Sequence, residues 1–211
     1  MATLKILLDV GARNGESLGE FVTWPFDEIY AFEPMPTQFT NACTTLIELD
    51  DPRVMIHNFG LSNETGTMTM YGADVNGEAS VYASKVDIRD QATTVCDFVR
   101  ASEFFDLLPR SSDIYMKLNC EGSEIAILHD LIDTGNLERV LAFRVEFDIS
   151  RCVGYEDEAD RLLARLEEIG YDRYTIGSNA RITPNGLVDD VPQVGTHHER
   201  LHAWLVSVWR P

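Results

Sequence analysis

Cysteine is scarce in this chain. There are four, Cys43, Cys96, Cys120 and Cys152, among 211 residues, and no two form a C-x-x-C pair. That spacing excludes a zinc-finger or thioredoxin motif and a disulfide-stapled scaffold. Two of the four are flanked by apolar residues in segments that look like core, the setting of a buried free thiol. Basic residues are also few: 17 Lys and Arg stand against 35 Asp and Glu, a net charge of −18. No basic run exists, so phosphate-driven binding of nucleic acid is not expected. Long apolar runs are missing too. No stretch approaches the roughly 18 residues of a membrane span. The start, Met1-Ala2-Thr3-Leu4-Lys5, shows no charged n-region followed by an apolar core of a signal peptide. A soluble, cytoplasmic protein with neither nucleic acid nor membrane as partner is therefore the expectation.

The chain does have the material of an ordinary globular domain, with 45% apolar and 25% charged residues. Without repeats or low-complexity tracts, residues 1–211 are expected to form one domain. Short buried strands are expected over Leu4–Val10, Ile29–Phe32, Val54–Phe59, Ile114–Leu118, Val140–Phe147, Tyr171–Ile176 and Ala203–Trp209. Helices are expected over Glu16–Thr23, from Pro36 onward, and over Val95–Leu108, Ser123–Asp133 and Glu156–Ile169. The last carries Ala159, Leu162, Leu163, Leu166 and Ile169 as one stripe, with Gly170 as its cap. Asn63–Gly66 is a turn leading to a hairpin arm over Thr67–Tyr71, and 72–92 is a polar, irregular excursion. Residues 178–201 contain Pro184, Gly186, Pro192 and Gly195 without periodicity. A connection that long in a compact domain usually serves function, and a substrate-covering loop is the expectation. Strands alternating with helices predict an α/β sheet covered on both faces, and two successive strands at the end predict a final antiparallel one.

Three strand ends carry polar residues suited to a site. Leu8-Asp9-Val10-Gly11-Ala12-Arg13-Asn14-Gly15 places two glycines at a strand-to-helix turn, where backbone can approach a ligand closely. It is not G-x-G-x-x-G, because Arg13 stands where a second glycine would admit a pyrophosphate. Glu33 follows the second strand, 22 residues past Gly11, the placement of an acidic residue that binds ribose hydroxyls. Lys117, Asn119 and Glu121 alternate after the fourth strand and share one side if the chain stays extended. Glu146 and Asp148 end the fifth. Together with Asn119 and Glu121 they could hold Mg²⁺, accept substrate hydrogen bonds or act as a general base. His198-Glu199-Arg200-Leu201-His202 matches H-E-x-x-H literally. It leads into a strand-like run, with no further ligand behind it, so a zinc peptidase is not expected.

These pieces, in this order, resemble the FkbM-type methyltransferases, a branch of the Rossmann-like S-adenosylmethionine-dependent enzymes. The resemblance spans about residues 8–148. It rests on Leu8-Asp9-Val10-Gly11-Ala12, Gly15, Phe32-Glu33-Pro34, Leu61-Ser62-Asn63, Ala79-Ser80, Thr94-Val95-Cys96-Asp97, Val145-Glu146 and above all Lys117-Leu118-Asn119-Cys120-Glu121-Gly122-Ser123-Glu124. The chain departs from the family pattern at Arg13, Cys96 and Asn119. The resemblance implies a seven-stranded, mostly parallel sheet with its last strand antiparallel, and O-methylation of a hydroxyl on a sugar or glycan-like acceptor. It implies S-adenosylmethionine contacts from Asp9, Gly11, Asn14, Gly15, Ser17, Glu33, Pro34, Leu61, Ser62 and Asn119. Lys117, Glu121 and Glu146 become the catalytic candidates, and Ser80, His197 and His198 the substrate contacts. No metal ligand is assigned, and the oligomeric state, a homo-oligomer included, stays open. Two rivals use the same sheet: a nicotinamide-dependent oxidoreductase and a non-catalytic nucleoside-binding module.

Overall fold

A computed structural model of the chain describes residues 3–72, 79–86, 88 and 92–177, with the backbone of 181–183 and 186–188. The central sheet is built from β1 (Lys5–Val10), β2 (Glu28–Phe32), β3 (Val54–His57), β7 (Asp113–Leu118), β8 (Val140–Val145) and β9 (Tyr174–Ile176). Its order is β3-β2-β1-β7-β8-β9 and every pairing is parallel. Period-two alternation sends successive side chains to opposite faces. Ile6, Leu8 and Val10 join one core with Ile114, Met116 and Leu118, whereas Leu7 and Tyr115 join a second core on the other face. Helices α1 (Leu18–Phe21) and α2 (Pro36–Leu49) cover the second face. Helices α3 (Ala101–Leu107), α4 (Glu124–Asp133) and α5 (Glu158–Glu168) cover the first. This is a Rossmann-like, doubly wound α/β architecture. Among the described residues, no helix is long and apolar enough to cross a membrane.

The described central sheet has six strands, all parallel; the seventh, antiparallel strand expected over Ala203–Trp209 lies outside the described residues. Two expectations differ from the structure. The segment expected as one helix over Val95–Leu108 is a strand, β6 (Thr93–Arg100), followed by α3. Thr93, Thr94, Val95 and Val99 are β-branched, and Cys96 and Phe98 alternate inward, which is strand chemistry. With β4 (Gly60–Ser62) and β5 (Gly66–Tyr71), β6 makes a second, three-stranded sheet in the order β4-β6-β5. The segment expected as a loop over 178–201 contains an antiparallel hairpin, β10 (Arg181–Thr183) with β11 (Gly186–Val188). A smaller difference concerns α5: Ile169 follows its last residue, next to Gly170 at φ +71°, and is exposed rather than part of the stripe.

The sheet order reverses direction between β1 and β7, which leave to opposite sides. That crevice is the switch point at which open α/β sheets bind ligands. Asp9 and Lys117 lie opposite each other in register across it. Both are buried. Lys117 Nζ sits 2.9 Å from Asp9 Oδ1 and donates to the Gly11 carbonyl at 2.7 Å. Gly11 is in the left-handed region at φ +83°, and a Cβ there would stand 1.8 Å from the Asn119 carbonyl oxygen. The turn after β1 therefore rests directly on the loop after β7.

Removing one partner of a buried ion pair leaves the other charge uncompensated, at about 3–5 kcal/mol. Lys117→Met should lose that much unfolding free energy in denaturant titration, and Asp9→Asn added to it should recover part of the loss. Gly11→Ala should cost more than the roughly 1–2 kcal/mol of a left-handed non-glycine residue, since backbone must also move. A wild-type midpoint in either single variant would contradict this packing.

Candidate functional site

A cleft of about 740 Å³, its open mouth included, lies at the carboxyl ends of β1, β2 and β7, under the second sheet. Its walls come from the turn after β1, the loop from β2 into α2, the second sheet and the loop after β7. Leu61, Met70, Phe98 and Met35 make an apolar wall. Gly60 is needed beside them, because a Cβ would come within 2.4 Å of the Phe98 ring.

Glu33 is the charged centre of one end. Pro36 opens α2 just beyond it, suited to a helix start by its fixed φ. Asn58 holds the bend by donating to the Glu33 and Pro34 carbonyls at 3.0 and 3.2 Å. The Glu33 carboxylate accepts the Arg13 N–H at 2.8 Å and the Met35 N–H at 2.9 Å, one on each oxygen. Each oxygen keeps a lone pair for a further donor. Burial pushes Glu33 up to about 7, against the pull of the Met35 and Arg13 amides. In the same wall, the buried Gln38 Oε1 has no hydrogen-bond partner among the described residues.

The other end is the loop 119–122. The strand ends at Leu118, and Glu121 adopts φ +59°, so the chain does not stay extended. Lys117 consequently faces the sheet's α1 side with Asp9, while Asn119 and Glu121 turn to the cleft. The expectation that Lys117 and Glu121 share one side is corrected by this turn. Glu124, buried at the start of α4, shapes it by accepting the Cys120 N–H at 2.8 Å and the Gly122 N–H at 3.0 Å. Desolvation, then the nearby Asp148, push Glu124 up to about 7. Burial and Asp148 also raise Glu121, opposed by Lys85 and Arg151.

Of the residues singled out from sequence, Gly11, Glu33, Pro34, Leu61, Asn119 and Glu121 line the cleft together. Asp9 and Lys117 lie beneath it. Asn14 bonds Glu16 and receives the Asn41 amide at 2.9 Å, away from the cleft. Gly15 packs against Ala42 and Thr45 of α2, and Ser17 is buried at the start of α1. Ser62 is buried next to Leu61 and donates to Asn63. Ser80 is buried and donates to the Glu121 carbonyl at 2.5 Å. Glu146 pairs with Arg144 at 3.1 Å and accepts from Asn119 at 3.3 Å, so it stands behind the cleft wall. His197, His198 and the H-E-x-x-H match lie outside the described residues. Among the described residues no three His, Cys, Asp or Glu side chains gather as a metal site.

Sequence reading missed Lys85, Gln38, Met35 and Phe98. Lys85 pairs with Glu121 Oε2 from within the polar excursion. Nothing in that stretch marks it except a lone lysine five residues past Ala79-Ser80. Phe98 was hidden because its segment was expected to be helical.

Comparison with known proteins finds no matching family model and no matching curated protein. The functional reading therefore rests on these residues.

A carboxyl whose folded value lies above its ordinary 4.5 stabilises fully below that value and loses its contribution as pH rises through about 7. The wild type should lose ground to Glu33→Gln between pH 4.5 and 7, with a slope of at most about 1.4 kcal/mol per pH unit. Urea unfolding at stepped pH measures it. A pH-independent gap would mean that folding leaves the proton affinity of Glu33 unchanged.

Proposed function

We propose that this chain is an S-adenosylmethionine-dependent O-methyltransferase of the FkbM type, acting on a hydroxyl of a sugar or glycan-like acceptor. The observation that carries the reading is the Glu33 carboxylate. It is buried at the end of β2, fixed by two backbone amides, and its remaining lone pairs open into a cleft at the switch point. Two vicinal ribose hydroxyls are donors of the number and kind that this carboxylate lacks. The unpartnered Gln38 Oε1 and the apolar wall of Leu61, Met70 and Phe98 suit an adenine ring. The cofactor, when bound, supplies an electrophilic methyl on a sulfonium. The carboxylates of Glu33 and Glu121, at the two ends of the cleft, favour a cation between them.

In this reading the residues of the chain position and deprotonate. Glu33 and Gln38 orient the nucleoside, and the Gly11 and Asn119 loops, braced by Asp9 and Lys117, fix the floor. Much of the rate comes from such alignment for in-line displacement. Glu121, held at the cleft with its proton affinity raised by burial, takes the proton of the acceptor hydroxyl. Lys117 supports the floor rather than acting on the acceptor, since Asp9 and the Gly11 carbonyl occupy its ammonium. Against the dinucleotide rival stands Arg13: its N–H points to Glu33, and no second glycine admits a pyrophosphate.

Calorimetry separates the readings. S-adenosylhomocysteine should bind and a nicotinamide dinucleotide should not. Glu33→Ala should weaken binding by about 1.5–3 kcal/mol, the range for hydrogen bonds to a charged group. Because ribose donors favour the ionised Glu33, binding near pH 7 should release a proton, seen as a heat that varies with buffer. Equal affinity in a folded Glu33→Ala variant would sink the assignment.

A further inference from the structure

Glu121 is gripped from one side by residues 79–86, between β5 and β6. Ser80 Oγ donates to the Glu121 carbonyl at 2.5 Å, and the Tyr82 ring lies so close to Gly122 that a Cβ there would stand 2.8 Å from it. Lys85 Nζ pairs with Glu121 Oε2. The Lys85 side chain is fully buried, whereas that of Glu121 is 23% exposed. The far side of the segment is fixed as well: the Val86 N–H donates to the Arg151 carbonyl at 2.9 Å and the Val153 N–H to that of Ser84 at 3.2 Å. A buried ammonium is costly unless paired, and this one has Glu121 as its carboxylate. Among the described residues, Glu121 Oε1 carries no hydrogen bond of its own.

We propose that Lys85 is a positioning residue for the base: it clamps one oxygen of Glu121 and leaves the other oxygen free at the cleft to accept a proton. This rests on the methyl-transfer reading. In the step, the acceptor O–H bond breaks and its proton passes to Glu121 Oε1. The oxygen lone pair forms the new O–CH₃ bond while the C–S bond breaks, and its electron pair stays on sulfur as a neutral thioether. The charged groups acting on Glu121 are Lys85 from the clamping segment and Asp148 and Arg151 from the short turn after β8. Without Lys85, Arg151 is left to oppose burial and Asp148.

The test needs no acceptor. In the unloaded protein labelled with ¹³C-carboxyl glutamate, the Glu121 signal, assigned by its loss in Glu121→Gln, is titrated in wild type, Lys85→Met and Lys85→Arg. The proposal expects Glu121 to hold its proton to higher pH in Lys85→Met and to return toward wild type in Lys85→Arg. Superimposable titrations in folded variants would overturn it. Should Lys85→Met not fold, the wild-type ¹⁵Nζ signal of Lys85 decides: slow solvent exchange and a cross-peak to the Glu121 carboxyl support the clamp, and a freely exchanging ammonium overturns it. A second arm measures radiolabelled methyl transfer from S-adenosylmethionine to a panel of methyl glycosides. Lys85→Met should lower kcat by about 10²-fold, the scale of a small misplacement, with S-adenosylhomocysteine affinity unchanged. If S-adenosylhomocysteine fails to bind wild type while the NMR result holds, the methyl-transfer reading falls and the clamp stands.

Discussion

The contact between Asp9 and Lys117 governs the centre of this molecule. The pair is buried inside the sheet, 2.9 Å apart. Taking them out of water is expensive, and the pair is tolerated because the Gly11 carbonyl also receives the ammonium. The consequence is geometric. The turn after β1 is tied to β7, the strand on the other side of the switch point, so the two loops that form the cleft floor cannot separate independently. Gly11 against the Asn119 carbonyl is the steric counterpart of that tie.

Around this centre the cleft collects carboxylates in differing surroundings. Glu33 is fixed by two amides and Glu124 by the loop it shapes, and burial raises both to about 7. Glu121, like Asp9 beneath it, has a buried lysine as its partner. In the proposed reading, similar acids take separate tasks: Glu33 binds hydroxyls, Glu124 holds a loop, and Glu121 accepts a proton. That division is set by neighbours rather than by residue type. The net charge of −18 is a background to it and does not itself select a ligand.

Much of the sheet was legible in the sequence because buried parallel strands are short apolar runs. Leu4–Val10, Ile29–Phe32 and Ile114–Leu118 were found nearly to the residue. The glycine turn and Glu33 could be placed because their spacing is fixed by one strand-helix-strand unit. What failed was long-range. The segment Thr93–Arg100 runs straight into the helix after it and reads as part of that helix, its β-branched residues notwithstanding; its pairing with β5 fixes it as a strand. Lys117 was read as facing the cleft because alternation was extended past the end of its strand, where the left-handed Glu121 breaks it. Lys85 meets Glu121 across 36 positions of chain, a contact that no local pattern encodes.

The account stands on a nucleoside seated at the switch point with its ribose on Glu33. A crystal structure of the chain soaked with S-adenosylhomocysteine tests this most directly. The prediction is density in this cleft, both ribose hydroxyls within about 2.5–3.0 Å of the Glu33 oxygens, and the sulfur directed toward the Asn119–Glu121 loop. Density elsewhere on the molecule, or a ligand in the cleft whose ribose turns away from Glu33, would contradict it.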